Sequence, residues 1–130
     1  LSPVIHGMVF SDLGVTGRYD AIQVRRGELE SFVRSARMSR LSGFNVTIPH
    51  KSGIIPLLDE TDEEAKLCGA VNTVLVRDGR LTGFNTDMGG LLESLREDGR
   101  GFRGSRVMIL GAGGAARAAV AVEEGATGTA

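Results

Sequence analysis

Tryptophan is absent from the 130 residues; tyrosine and cysteine occur once each, histidine twice and proline three times. The lone Cys68 cannot close an internal disulfide, which suits a reducing compartment and a small buried residue. No uninterrupted apolar run reaches the roughly 18 residues that a membrane-spanning helix needs. The net charge of −1 supplies neither the basic field that nucleic acid requires nor a polybasic membrane patch. No secretory pattern opens the chain, so a cytoplasmic location is expected, with a plastid form that has shed its transit peptide as the alternative. No metal-ligand set is assigned.

Hydrophobic residues make up 42% and charged residues 24%, the balance of a folded globular chain rather than a disordered one. At this length a domain buries roughly two thirds of its unfolded surface. Glycine is abundant, 19 of 130, and the first residue is Leu1 rather than Met. The chain therefore reads as a fragment of a longer one.

Hydrophobic spacing and breakers give the elements. Ser2-Pro3 ahead of Val4, Ile5, Met8, Val9 and Leu13 predicts a helix with one apolar face, capped by Ser2 and ended at Gly14. Tyr19 to Val24 reads as a strand. Glu28 to Met38 reads as a helix with Leu29, Phe32, Val33 and Ala36 inward and its arginines outward. Phe44 to Ile48 is a strand that Pro49 must end, since proline has no ladder N–H. A helical turn is expected over His50 to Ile55. Thr61 to Glu64 has capping-box spacing and should open a helix that stops at Gly69. Val71 to Arg77 and Arg80 to Phe84, joined by Asp78-Gly79, form a hairpin signal. Asp87 to Glu97 reads as a helix, Gly99 to Gly104 as a linker and Arg106 to Leu110 as a buried strand.

That last strand runs into Gly111-Ala112-Gly113-Gly114-Ala115 and an alanine-rich helix. Strand, glycine turn, helix is the context in which such a pattern binds a pyrophosphate. Gly111 permits the tight turn, Gly113 lets the backbone approach, and the helix N-terminus offers free N–H groups. Ala116 fills the third slot of G-x-G-x-x-G. The charged residue that separates NAD from NADP is not visible.

Polar residues also gather where strands begin or end: Asn45, Thr47 and Lys51; Asn72 and Thr73; Asn85, Thr86 and Asp87. Asn45 and Thr47 share one side of their strand. Amides and hydroxyls suit a polyhydroxylated ligand, and a lysine brought to an aspartate can manage a proton.

The segments "LSPVIHG", "GFNVTIPHK", "DE…GAVNT", "GFNTD" and "GAGGAARA" resemble, in this order and spacing, the shikimate dehydrogenase family. The resemblance covers Leu1 to about Ala119. It implies a mixed-sheet α/β substrate domain in three layers, followed by the first βα unit of a Rossmann-like domain. The implied boundaries are 1–85 for the substrate domain, 86–103 for a connecting helix and linker, and 104–130 for the start of the cofactor domain. The implied reaction is the NADP-dependent, reversible reduction of 3-dehydroshikimate to shikimate, a step toward aromatic amino acids. Lys51 matches the catalytic lysine and Asp87 its partner. Ser2 matches a serine that holds the substrate carboxylate, and Thr47, Asn72 and Asp87 match residues that bind ring hydroxyls, with Asn45 in the same motif. Gly111, Ala112, Gly113, Gly114 and Ala115 match the pyrophosphate loop, and Glu63 falls at a position sometimes assigned to NADP. His6 and His50 are expected to pack or bond locally.

Against the family pattern, a first strand ahead of the serine motif and most of the cofactor domain are not represented. Little or no turnover is therefore expected of the 130-residue chain alone. The alternatives are a quinate/shikimate dehydrogenase, a non-catalytic shikimate-binding module and a remnant with a structural role. Homodimerisation stays open.

Overall fold

The computed structural model describes residues 2–97, 106, 108–114 and 116–120. Helix α1 spans Ser2–Asp12. Its end is fixed by backbone chemistry: Gly14 adopts φ +62°, and the N–H groups of Gly14 and Val15 donate to the carbonyls of Ser11 and Phe10. This paired 5→2 and 6→1 arrangement satisfies carbonyls that a helix terminus otherwise leaves open. The apolar positions of α1 are not buried; Met8 is 63% and Leu13 71% exposed.

Residues 15–25 run without regular structure, so the strand expected over Tyr19 to Val24 is not formed. A strand exists only through a ladder, and no described segment pairs with this one. A 3₁₀ turn, Arg26–Glu28, leads into α2, Leu29–Met38. Val33 and Ala36 are buried on its inner face, with Leu29 and Phe32 partly so. Arg37 does not point to solvent as expected. Its guanidinium bonds Asp59 at 2.5 Å, the Leu57 carbonyl at 2.8 Å and the Gly79 carbonyl at 3.1 Å, stapling α2 to two loops.

The sheet has the order β1-β3-β4-β2, with β1 Gly43–Asn45, β2 Glu60–Thr61, β3 Thr73–Arg77 and β4 Arg80–Phe84. β1 pairs antiparallel with β3 and β3 antiparallel with β4, while β2 runs parallel to β4. The hairpin turns at Asp78 and Gly79, both with positive φ (51° and 75°), as the Asp-Gly pair predicts. β1 is shorter than expected, although the Val46 N–H still donates to the Asn72 carbonyl one step on. After Pro49 the expected helical turn forms, the Ile54 N–H donating to the His50 carbonyl at 3.0 Å, and it continues into a 3₁₀ helix at Ile55–Leu57.

Helix α3 spans Glu63–Cys68, and its N-cap is Asp62, whose carboxylate accepts from the Ala65 N–H at 2.7 Å. The N-cap expected at Thr61 is thus displaced by one residue, and with Ala65 at the third helical position no reciprocal capping box forms. Thr61 is held instead in β2, opposite Gly83. α3 ends at Gly69 with φ +58°. Val33, Val46, Ile54, Ala65, Val71, Val74 and Leu81 form one core, with Phe32 and Phe44 edge-to-face beside it at 5.2 Å. Leu75, on the opposite side of β3, is 45% exposed.

Helix α4 spans Asp87–Glu97. Residues 106 and 108–110 form no strand; Met108 and Leu110 are 83% and 89% exposed, and no described segment pairs with them. Residues 114 and 116–120 are helical, as the alanine-rich pattern predicts. The linker at 99–104, Val107 and Ala115 lie outside the described residues.

Candidate active site

The β3–β4 hairpin places Asn72 just before one strand and Asn85, Thr86 and Asp87 just after the other. Thr73 lies opposite Phe84, so both groups emerge at the same sheet end. The turn after Pro49 brings Lys51 to that end. Its carbonyl accepts from the Val71 N–H at 2.8 Å, and its ammonium lies 2.5 Å from Asp87 Oδ2. The pair is partly enclosed, with side-chain exposures of 18% and 30%.

Asn72 holds the other oxygen of the carboxylate. Its Nδ2 donates to Asp87 Oδ1 at 2.7 Å and to Thr86 Oγ1 at 2.9 Å. Its Oδ1 accepts from the Thr86 N–H at 3.1 Å and from Thr73 Oγ1 at 2.9 Å. Asn72 is 8% exposed, and these bonds engage both ends of its amide. A buried amide satisfied in this way fixes its partners in one arrangement.

The network continues along β1. Asn45 Nδ2 donates to Thr73 Oγ1 at 3.1 Å, and Tyr19 Oη donates to Asn45 Oδ1 at 3.0 Å. Asn45 and Thr47 line one cavity of about 400 Å³ with Tyr19 and His50; Phe44, Val46 and Ile48 line it too, so the cavity does not single out one side of the strand. His50 Nε2 lies 2.8 Å from the Val24 carbonyl, and His6 stacks on Tyr19 at 4.0 Å, so both histidines have local partners.

Lys51, Asp87, Asn72 and Asn45 therefore come together, whereas Thr47 is exposed and joins them only through the cavity it shares with Asn45, which Lys51, Asn72 and Asp87 do not line. Ser2 stands exposed at the start of α1, and no hydrogen bond among the described residues joins it to the cluster. Glu63 is at the exposed start of α3, paired with Lys66 at 2.6 Å. That pairing raises the Lys66 ammonium above its ordinary value through the Glu63 hydrogen bond. Lys66 in turn lines a recess with Gly69, Gly111, Ala112 and Arg117, which leaves Glu63 one ion pair from the glycine turn.

The turn is shaped for close approach. Gly111 has φ +120°, a conformation suited to glycine, and space is open where a Cβ on Gly111 or Gly113 would project. Gly114 packs against the other site: a Cβ there would lie 2.9 Å from Lys51 Cδ and 3.4 Å from Ala70 Cβ. Arg117 adds a tie, donating to the Gly69 carbonyl at 3.1 Å beyond the end of α3. These features fit a phosphate-bearing ligand at Gly111, Ala112, Gly113 and Gly114; Ala115 is outside the described residues. Cys68 is buried against Ala70 and Ala118. Burial, with the negative charges of Glu64, Asp87 and Asp62, pushes its thiol up and keeps it protonated.

The place of Tyr19 in the site, and the bracing of Asp87 by Thr73, Thr86 and Asn85, are not legible in the sequence. The strand-end clustering of Asn and Thr was the available signal. Which amide meets which carboxylate depends on hairpin register and the crossing of β1.

Fold and site define an α/β binding domain whose sheet end presents an ammonium–carboxylate pair beside a glycine turn. Comparison with known proteins makes this specific. Residues 1–74 match the family described as shikimate dehydrogenase substrate binding domain, and the chain belongs to the shikimate dehydrogenase family. The NADP(+) shikimate dehydrogenase of Geobacter metallireducens is 50% identical over 123 residues, 93% of this chain and 43% of that protein. The shikimate dehydrogenase of Thermus thermophilus, solved with NADP(H) and shikimate, superposes with a TM-score of 0.88 at 38% identity, covering 96% of this chain and 47% of that one. Shikimate dehydrogenase 1 of Peptoclostridium difficile gives 0.92 at 35% identity, covering 95% and 46%. The chain spans less than half the length of these relatives.

Proposed function

We propose that this chain forms the substrate-binding part, with the opening of the cofactor part, of an NADP-dependent shikimate dehydrogenase. In this reading residues 1–85 bind substrate, 86–103 connect, and 104–130 begin the NADP-binding unit. The reaction is the reversible reduction of 3-dehydroshikimate to shikimate, on the route to aromatic amino acids, in the cytoplasm. One observation carries the reading: Lys51 is paired with Asp87 at 2.5 Å, and Gly114 of the glycine turn abuts the lysine stem.

The chemistry follows from those groups. Gly111 to Gly114 would hold NADPH, whose reduced nicotinamide would supply the hydride and leave as NADP+. Negative charge then develops on the substrate carbonyl oxygen, and a preorganised cation stabilises it. Lys51 presents both charge and proton to that oxygen. Asp87 restrains the ammonium with one carboxylate oxygen, while Asn72 grips the other. Thr47 and Asn45 line a cavity at the end of β1 and are assigned to ring hydroxyls by their motif. Ser2 is assigned to the substrate carboxylate by its motif. Buried polar groups arranged for hydroxyls reject an analogue lacking one by roughly 10⁴–10⁵.

Calorimetric titration of the chain with shikimate tests the reading, with quinate in parallel. Saturable binding of shikimate, weakened in Thr47→Val, is the expected result. Absence of heat at millimolar concentrations of either compound overturns it, and tighter binding of quinate moves the reading to a quinate/shikimate dehydrogenase.

A further inference from the structure

Asn85 is wholly buried, at 0% exposure, and is one of two buried polar residues among those described. Burying an amide is costly unless its bonds are satisfied, and here they are spent on two particular partners. Its Nδ2 donates to the Ala70 carbonyl at 2.8 Å, and its Oδ1 accepts from the Asp87 N–H at 3.0 Å. Ala70 precedes Val71, whose N–H donates to the Lys51 carbonyl at 2.8 Å. A continuous path thus runs from the backbone of Lys51, through Val71, Ala70 and the Asn85 amide, to the backbone of Asp87.

We propose that Asn85 is a positioning residue that sets the distance and orientation of the Lys51–Asp87 pair. The proposal deepens the functional reading above and rests on it only for its ligand-binding consequence. Asn85 touches neither charged group. It bonds the Asp87 backbone directly, two positions away, and reaches that of Lys51 indirectly, through Ala70, 15 positions away, and the Val71 N–H next to it. The side-chain salt bridge leaves long, rotatable stems on Lys51 free to sample other rotamers; a fixed spacing between the two backbones narrows that choice. Asn72 restrains the Asp87 carboxylate from the side, and Asn85 restrains its main chain. Gly114 leaves room for the Lys51 stem in this arrangement.

The polarity of the amide matters as well as its bulk. Leucine fills a similar volume but leaves the Ala70 carbonyl and the Asp87 N–H without these partners. Aspartate retains an acceptor for the Asp87 N–H and loses the donor to Ala70, setting acceptor against acceptor. Asparagine meets both needs without a charge.

The test uses lysine labelled with ¹⁵N at Nζ in the whole chain, which contains two lysines, Lys51 and Lys66. Asn85→Leu and Asn85→Asp are compared with Val33→Ala, a core substitution chosen to lower stability away from the site. The expected result is a displaced or exchange-broadened Lys51 ammonium signal in both Asn85 variants and an unchanged one in Val33→Ala. Shikimate affinity should fall roughly tenfold or more in the Asn85 variants, the effect of losing about 1.4 kcal/mol. If Asn85→Leu does not fold, Asn85→Asp carries the comparison. An unchanged Lys51 signal in a folded Asn85 variant, or the same change in Val33→Ala, overturns the proposal. Failure of wild-type chain to bind shikimate would instead strike the functional reading, because the Lys51 signal is read without ligand.

Discussion

Lys51 and Asp87 are separated by 36 positions in the chain, yet the ammonium and carboxylate meet at 2.5 Å. The contact joins the turn after β1 to the first residue of α4, with Asn72 bonded to the second carboxylate oxygen. Such a pair is enclosed enough that removing one partner leaves the other poorly compensated. Asp87→Asn and Lys51→Met should each weaken shikimate binding about 10–100-fold, in keeping with hydrogen bonds to charged groups. Calorimetry on the two variants and wild type checks this; an affinity within a factor of two of wild type would separate the pair from the ligand.

Acid should loosen the Arg37 staple. The Arg37 hydrogen bond, then the Leu81 N–H, hold the Asp59 carboxyl below its ordinary value of 3.8. A folded-state value below the unfolded one contributes stability above pH 3.8, and that contribution is lost as pH falls through the folded value. Urea unfolding of wild type should therefore show a midpoint that drops as pH goes from about 5 to below ~3. Asp59→Asn should start less stable and lose less over the same interval; parallel losses would remove Asp59 from the account.

Gly43 is required by close packing of strands. A Cβ on it would lie 2.5 Å from the Val74 carbonyl oxygen, a backbone atom that cannot rotate away. Gly43→Ala should force β1 from β3 and destabilise the fold by about 1–3 kcal/mol. Chemical denaturation gives the value, and a stability equal to wild type would show that the edge strand moves freely.

Helix α3 offers a comparison of adjacent residues. Asp62 makes the capping bond to Ala65, while Thr61 sits in β2. Asp62→Ala should cost about 1 kcal/mol and Asp62→Gly a few tenths. Loss of amide protection at Ala65 in Asp62→Ala, with protection retained in Thr61→Ala, is the expected hydrogen-exchange pattern. The opposite pattern would restore the capping box at Thr61.

The parts of this fold that were legible in the sequence are those encoded locally. Asp78-Gly79 supplies its own positive φ, Gly14 and Gly69 end their helices, and α2 shows its inner face as a stripe. Elements that depend on distant partners are not encoded locally. Tyr19 to Val24 has strand composition but no described strand to pair with, and Thr61 could cap α3 but is committed to Gly83. The site divides the same way. Lys51, Asn72, Asn85 and Asp87 stand out as polar residues at strand ends and the motif resemblance gives three of them roles, whereas the bracing by Asn85 and Tyr19 arises from register and burial. No local pattern distinguishes an Asn that faces a ligand from one that braces a backbone.

The chain's two lysines permit a direct measurement on its central claim. Lys51 is paired with Asp87 at the proposed site, while Lys66 is paired with Glu63 on α3. In a ¹⁵Nζ-lysine spectrum, assigned with Lys66→Arg, shikimate should move the Lys51 signal in a saturable manner and leave that of Lys66 in place. A Lys51 signal that stays still while shikimate binds would contradict the account.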